Sequence, residues 1–175
     1  CELWDFSFVD PDNRSEVDYN FRINLLKEFA GKTKTGPEYL DFLMKDYKSG
    51  KIKFYITCKI LRERAKRQDL FLNGEYLPLA VYGKHARSII AFARKFKDEW
   101  GVAVAPRFMT QFVKQDIFPL KKTLWEDTHI LLPQGAPSDW ENVLTNTPFF
   151  AGDKMLAGDV FDLFAPAFLI SKKRS

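Results

Sequence analysis

The sequence predicts an α+β protein in which N-terminal helices are followed by an antiparallel β-sandwich. Apolar residues recur at helical spacing through residues 17–67, whereas from Glu75 onward short apolar runs alternate with polar turns. The 175 residues can form one domain or two small ones, and 46% of them are hydrophobic, including 17 phenylalanines. The composition therefore indicates a globular chain with a sizeable core.

Three amphipathic helices are predicted in the N-terminal part. The first covers Val17–Ala30, and its apolar face is formed by Val17, Phe21, Leu25 and Phe29. The second begins near Pro37, which suits a first helical turn, and ends at Ser49-Gly50. The third covers Lys51–Arg67 and has an apolar side opposite a dense basic side.

A domain boundary is predicted near residue 70, because Asp69–Gly74 breaks the helical period. Residues 1–70 then form one unit and residues 71–175 a C-terminal β-sandwich domain. The predicted strands are Tyr76–Tyr82, Ser88–Phe96, Trp100–Ala105, Thr123–Leu132, Trp140–Leu144, Lys154–Ala157 and Phe164–Ser171. Phe108–Leu120 is compatible with either a helix or a loop. Seven or eight short strands in succession favour an antiparallel sandwich, with Trp100, Trp125 and Trp140 in its core.

The charge pattern gives little support to nucleic-acid binding. The net charge is only +4, from 27 basic and 23 acidic residues. A basic run such as Lys59–Arg67 is most often the solvated face of a helix, so we expect no nucleic-acid partner.

The sequence has no pattern typical of a metal, disulfide or membrane-spanning site. Cys1 and Cys58 form no disulfide framework, and His85 and His129 are isolated from other metal-ligating residues. We expect no signal peptide, and the printed sequence has no apolar run long enough to span a bilayer. We therefore expect no cofactor, no metal, no membrane partner and a cytoplasmic location.

The first nineteen residues combine aromatic side chains with a small set of polar groups. Trp4 offers a flat apolar face, and Asp10 and Arg14 offer a carboxylate and a guanidinium, which together suit a sugar ligand. The alternative is an ordinary turn, since Asp-Pro-Asp-Asn favours one and acidic residues suit a helix start. A calcium loop is disfavoured because Arg14 occupies a ligand position and the required glycine is absent.

The segment that favours the sugar site is ELWDFSFVDPDNRSEVDY. It resembles the segment after the last barrel strand in the maltooligosyltrehalose-forming branch of glycoside hydrolase family 13. Residues 50–83, Ser88–Arg94 and Trp125–Thr128 also resemble that branch, as does the closing apolar strand. The resemblance implies that residues 1–70 are the end of a (β/α)8 catalytic barrel, and we expect the sequence to be the C-terminal part of a longer protein.

The resemblance also implies a function for the longer protein. Such enzymes isomerise the reducing-end α-1,4 linkage of a maltooligosaccharide to an α,α-1,1 linkage, and their catalytic carboxylates come from earlier barrel strands. This chain then supplies no catalytic residue, and we expect it to be inactive by itself. Asp10 and Arg14 are expected to bind sugar hydroxyls at the barrel mouth, with Asn13 holding the loop and Trp4 either stacking on sugar or packing in the core.

Two points remain open at the level of the sequence. Ser15-Glu16 replaces the Arg-Pro that the resembled enzymes typically carry, so a contact is lost here if the second arginine of those enzymes touches sugar or a neighbouring barrel loop. The alternative function is a free-standing carbohydrate-binding β-sandwich module, which requires a line of exposed aromatic side chains on one sheet. In either case the expected partners are a maltooligosaccharide and, for the enzyme, the remainder of the barrel.

Overall fold

The computed structural model describes residues 18–30, 36–114, 118, 120 and 122–172, and these residues form an α+β fold. The helices are α1 (Tyr19–Ala30), α2 (Pro37–Lys45), α3 (Lys51–Lys66), α4 (Gln68–Leu72) and α5 (Ala157–Val160). The strands are β1 (Glu75–Pro78), β2 (Val81–Tyr82), β3 (Ile89–Phe96), β4 (Glu99–Pro106), β5 (His129–Leu131), β6 (Asp139–Asn142), β7 (Thr147–Phe150), β8 (Lys154–Leu156) and β9 (Ala167–Ser171). The three predicted N-terminal helices are confirmed, and α4 follows them where only a break was expected.

The strands form two antiparallel sheets. The larger sheet has the order β1-β3-β4-β9-β6-β7, and the smaller has the order β2-β5-β8. The predicted single strand Tyr76–Tyr82 is wrong, because β1 pairs with β3 in the larger sheet whereas β2 pairs with β5 in the smaller one. The chain changes sheets at Leu79-Ala80, so one continuous segment contributes to both layers.

The main apolar core lies between the two sheets. Its members come from one face of the larger sheet, from the smaller sheet and from the loop before β5, and they include Ala93, Val102, Leu169, Ile130, Met155 and Trp125. Trp100, Trp125 and Trp140 are all buried, with exposures of 3%, 0% and 0%. The prediction that these three tryptophans belong to the core is confirmed.

A second apolar cluster lies between the N-terminal helices and the opposite face of the larger sheet. The helices contribute Leu40, Leu43, Tyr55 and Leu70, and the sheet side contributes Leu144, Phe164, Phe168 and Ile170. Because β9 has helices on one face and the smaller sheet on the other, all five of its residues are buried. The predicted boundary at residue 70 stays a prediction, although Leu70 itself lies in this shared cluster.

Two strand predictions fail for local reasons. Thr123–Leu132 was expected to be one strand, but Lys122–Trp125 is a 3-10 helix, and Glu126 has a left-handed φ of 47° that breaks the extended backbone before β5. The opposite difference occurs at β7, because the sequence predicts an interruption at Asn146-Thr147-Pro148 whereas β7 begins at Thr147. Pro148 is tolerated because β7 is an edge strand paired only with β6.

Candidate functional site

The four residues predicted to bind sugar lie outside the described part of the chain. They are Trp4, Asp10, Asn13 and Arg14. Their roles stay predictions, and the structure informs them only through the helix that follows. The described chain begins at Asp18, immediately before α1.

Asp18 acts as the cap of α1. Its Oδ1 accepts a hydrogen bond of 2.8 Å from the backbone N–H of Phe21, and its carbonyl oxygen accepts one of 3.1 Å from Nη1 of Arg22. A carboxylate in this position satisfies an otherwise unpaired amide of the first turn and favours the positive end of the helix. The helix-entry explanation of Asp18 is therefore the one that the geometry supports.

The C-terminal half of α1 is firmly attached to α2 and α3. The ring of Phe29 packs 5.6 Å from Phe54 and 5.7 Å from Tyr55 between centroids, and its carbonyl oxygen accepts a hydrogen bond of 2.9 Å from Nη1 of Arg62. Tyr39 donates its hydroxyl to Glu28 at 3.1 Å. Burial and this neighbouring carboxylate raise the pKa of Tyr39 well above its usual range.

On another side of α1, away from its contact with α2 and α3, apolar side chains are exposed. Tyr19, Ile23 and Leu26 follow helical spacing and have exposures of 69%, 45% and 45%. An amphipathic helix ordinarily exposes polar residues on this side. Helix α1 therefore has one apolar stripe packed on α2 and α3 and a second that no described residue covers.

The segment Trp125–Thr128, which contributes to the resemblance, has a structural role. Lys84 and His85 donate their backbone N–H groups to Oδ1 of Asp127 at 2.9 Å and to Oγ1 of Thr128 at 3.0 Å. The Lys84 ammonium lies 2.7 Å from Oε1 of Glu126, and its bond with this carboxylate lowers the pKa of Glu126. These contacts join the loop before β5 to the turn after β2.

A charged groove of about 630 Å³ lies between α3 and the larger sheet. Five cationic side chains line it: Lys59, Arg62, Lys66, Arg67 and Lys172. Glu63 and Glu141 are its two carboxylates, and Asn146 adds an amide. The expectation of a solvated basic helix face is confirmed for Arg62, Arg64 and Lys66, which are exposed. What sequence reasoning missed is that β6 and β9 complete a concave site, because their distance from α3 along the chain hides the contact.

Two further kinds of site concern the described residues, namely metal sites and membrane spans. No group of three or more metal-ligating side chains occurs there. None of the helices in the described ranges is long and apolar enough to cross a membrane.

Comparison with known proteins identifies relatives of this chain. Two curated proteins of Mycobacterium tuberculosis, from strains CDC 1551 and H37Rv, carry the name "Putative maltooligosyl trehalose synthase". Each is 32% identical to this chain over 144 residues. The chain is a homologue of these proteins. The aligned region is 82% of this chain but only 14% of each mycobacterial relative.

The kinship with proteins named maltooligosyl trehalose synthase confirms the resemblance inferred from the sequence. The chain spans about one seventh of the length of these relatives, so the activity of a whole protein is a matter for proposal. No protein-family model matches the chain, and no solved structure matches it either.

Proposed function

We propose that this chain is the C-terminal part of a glycoside hydrolase family 13 enzyme that forms maltooligosyltrehalose. The enzyme isomerises the reducing-end α-1,4 linkage of a maltooligosaccharide to an α,α-1,1 linkage in the cytoplasm. The observation that carries the proposal is the 32% identity to maltooligosyl trehalose synthases across most of the chain. The low coverage of those relatives agrees with a chain that represents only a small part of the enzyme.

In this proposal the residues before α1 form the rim of the glucan cleft. Asp10 and Arg14 bind sugar hydroxyls, Asn13 holds the loop, and Trp4 offers a stacking face. The capped and packed α1 supports the proposal because it would hold this loop at a fixed position relative to α2 and α3. Retaining chemistry needs a nucleophilic carboxylate and an acid/base carboxylate about 5 Å apart, and both would come from other parts of the enzyme. This chain by itself would then be inactive.

The helices and sheets have a supporting role in the same proposal. The uncovered stripe of Tyr19, Ile23 and Leu26 on α1 would pack against the preceding part of the barrel. The two sheets, with an apolar core between them, would form a β-sandwich that buttresses α2 and α3. Tyr55 supports this arrangement because its hydroxyl donates to the carbonyl oxygen of Leu144 at 2.9 Å.

The proposal is tested with the full-length product of the gene that encodes this sequence. Release of maltooligosyltrehalose from maltohexaose should be detectable, and Asp10→Ala or Arg14→Ala should each lower kcat/KM by about tenfold or more. A charge-assisted hydrogen bond contributes about 1.5–3 kcal/mol, and about 1.4 kcal/mol corresponds to tenfold. Most of the effect should appear in KM, because these groups lie away from the cleaved bond.

Two exposed residues provide matched controls for these substitutions. Asp41→Ala removes a carboxylate from the solvent side of α2, and Arg64→Ala removes a guanidinium from α3 outside the groove. Both variants should retain the activity of the unaltered enzyme within about twofold, since surface substitutions of this kind cost little. A full-length protein that lacks maltooligosyltrehalose formation would contradict the proposed reaction. An active enzyme that is indifferent to Asp10→Ala and Arg14→Ala would contradict only the rim.

The alternative, a free-standing carbohydrate-binding module, has one observation in its favour. Tyr76 is 53% exposed on edge strand β1, on the face of the larger sheet opposite the main core, and its ring centroid lies 5.1 Å from that of Phe92. Such a module needs a line of exposed aromatic side chains on one sheet. The three tryptophans of the described chain are buried and cannot contribute to it. The module would be favoured if the 175-residue chain is retained on immobilised amylose. Tyr76→Ala should then abolish this retention, whereas Tyr82→Ala should leave it unchanged.

A further inference from the structure

The groove between α3 and the larger sheet contains cations that make no ion pair with any residue of the described ranges. Glu63 accepts from Lys66 at 2.7 Å and from Nε of Arg67 at 3.2 Å. Burial acts to raise the pKa of Glu63, but these two bonds outweigh it and hold the pKa below its ordinary value. Arg67 also pairs with Glu99. Lys66 and Arg67 are thus satisfied.

The remaining three cations of the groove are Lys59, Arg62 and Lys172. Within the described ranges, no carboxylate oxygen lies within 4 Å of any of the three. Lys59 donates to Oδ1 of Asn146 at 2.7 Å, and Arg62 donates to the carbonyl oxygen of Phe29. These neutral acceptors fix the two side chains without cancelling their charge.

Lys59 is the cation for which an added anion would matter most. It is half-buried, and burial is the main cause that lowers its pKa, partly offset by Glu63 and Glu141 and reinforced by Arg62 and Lys66. A lysine held in such surroundings gains more from an anion than a fully solvated one, because the interaction is less screened. The structure therefore favours a compact negative group beside Lys59.

The groove also contains groups suited to hydroxyls. Glu141 lies on β6, opposite Ile170 of β9, and makes no ion pair with any described residue. Asn146 has a left-handed φ of 56° at the turn between β6 and β7, and its amide lines the groove. A carboxylate and an amide beside a cation cluster are the partners that a phosphorylated polyol requires.

We propose that this groove binds a small sugar phosphate, with Lys59, Arg62 and Lys172 on the phosphate and Glu141 and Asn146 on the sugar hydroxyls. A volume of about 630 Å³ lies within the ordinary range for small-molecule sites. A neutral glucan gains little from a groove that is lined by five cations against two carboxylates. The inference stands apart from the proposed catalytic function, because it uses no residue of the predicted cleft rim.

Calorimetric titration of the 175-residue chain tests the proposal. Glucose 6-phosphate should bind saturably at one site, inorganic phosphate about tenfold more weakly, and glucose not measurably. The double variant Lys59→Met/Arg62→Gln should weaken glucose 6-phosphate binding by about tenfold or more. The charge-matched control Lys154→Met/Arg64→Gln changes exposed residues outside the groove and should bind as the unaltered chain does.

A conservative variant separates the two halves of the site and needs no disruption of α3. Glu141→Gln should weaken glucose 6-phosphate binding by several-fold relative to inorganic phosphate, because it removes a negative charge near the phosphate and replaces a carboxylate acceptor for hydroxyls by a weaker amide acceptor. Equal losses in the groove double variant and its control would overturn the proposal. Equal affinities for inorganic phosphate and glucose 6-phosphate, or tighter binding of a DNA duplex than of either, would also overturn it.

Discussion

At the scale of single residues, Tyr55 is the most informative side chain. It is 2% exposed, packs against Phe29 and Tyr39, and donates its hydroxyl to a carbonyl oxygen 89 positions further along the chain. The helical period of α3 is sufficient to predict that Tyr55 is buried. Its hydrogen-bond partner is beyond sequence reasoning, because a contact over that separation depends on the packing of the whole fold. The cap at Asp18, in contrast, is local and predictable.

Tyr55→Phe should destabilise the chain by about 1–3 kcal/mol. The substitution removes the hydroxyl and leaves the buried Leu144 carbonyl oxygen without its donor. Urea denaturation followed by circular dichroism measures the loss. Tyr82→Phe is the matched control, since Tyr82 is 52% exposed, and it should cost less than about 0.5 kcal/mol.

The same variant has a signature at high pH. Burial raises the pKa of Tyr55 to about 12, against about 10 in an unfolded chain. The folded state keeps the proton that the unfolded state releases, so the stabilisation is complete below about pH 10 and is lost as the pH rises to about 12. Stability measured across this range should fall less steeply in Tyr55→Phe than in the unaltered chain. Parallel curves would contradict the buried phenol.

At the scale of elements, the close contact between the turn after β2 and the loop before β5 depends on one glycine, Gly83. Gly83 has a φ of 100°, and a Cβ atom added there would lie 2.6 Å from Cα of Thr128. Only glycine permits both this conformation and this approach. The loop in turn places Trp125, with no exposed surface, against Phe161 at 4.8 Å between ring centroids.

Gly83→Ala should therefore destabilise the chain more than its backbone conformation alone would require. Gly135 provides the comparison, because its φ is 81° but no atom would lie within 4 Å of an added Cβ. We expect Gly135→Ala to cost about 1 kcal/mol from backbone strain and Gly83→Ala to cost at least about 2 kcal/mol more from the clash. Thermal unfolding of both variants gives the difference, and similar Tm values would contradict the close approach.

The elements that the sequence predicts correctly are those whose apolar residues repeat regularly over a short stretch of chain. Helix α3 and the paired strands β3 and β4 repeat their apolar residues regularly enough to be placed within a residue or two. The segment Thr123–Leu132 differs from its prediction because Leu124 and Trp125 are as apolar as strand residues but lie in a 3-10 helix, where only Trp125 is buried. Edge strand β7 was missed because Pro148 signals a turn unless its position in the sheet is known.

At the scale of the whole molecule, the larger sheet is covered on both faces. The smaller sheet packs on one face and the N-terminal helices on the other, and β9 contributes to both apolar clusters. The α+β class was predictable from composition and period. The division into residues 1–70 and 71–175 remains a proposal, because the second cluster has members on both sides of that boundary.

Removal of the helices should show how strongly this cluster joins the two parts. Residues 71–175 expressed alone would expose Phe164, Phe168 and Ile170, which are at most 7% exposed in the whole chain. We expect this truncated chain to be poorly soluble and to bind a hydrophobic dye, whereas residues 1–175 should unfold in one transition. A soluble truncated chain with native-like near-ultraviolet dichroism would show that the β-rich part folds independently.

The change of sheet at Leu79-Ala80 has a mechanical consequence. Strand β1 is hydrogen-bonded into one layer and β2 into the other, with only two residues between them, so neither layer can slide along the other without breaking a ladder. Leu77, Leu79 and Val81 all pack into the main core along this short segment. The segment therefore links the two sheets covalently and closes one side of the core.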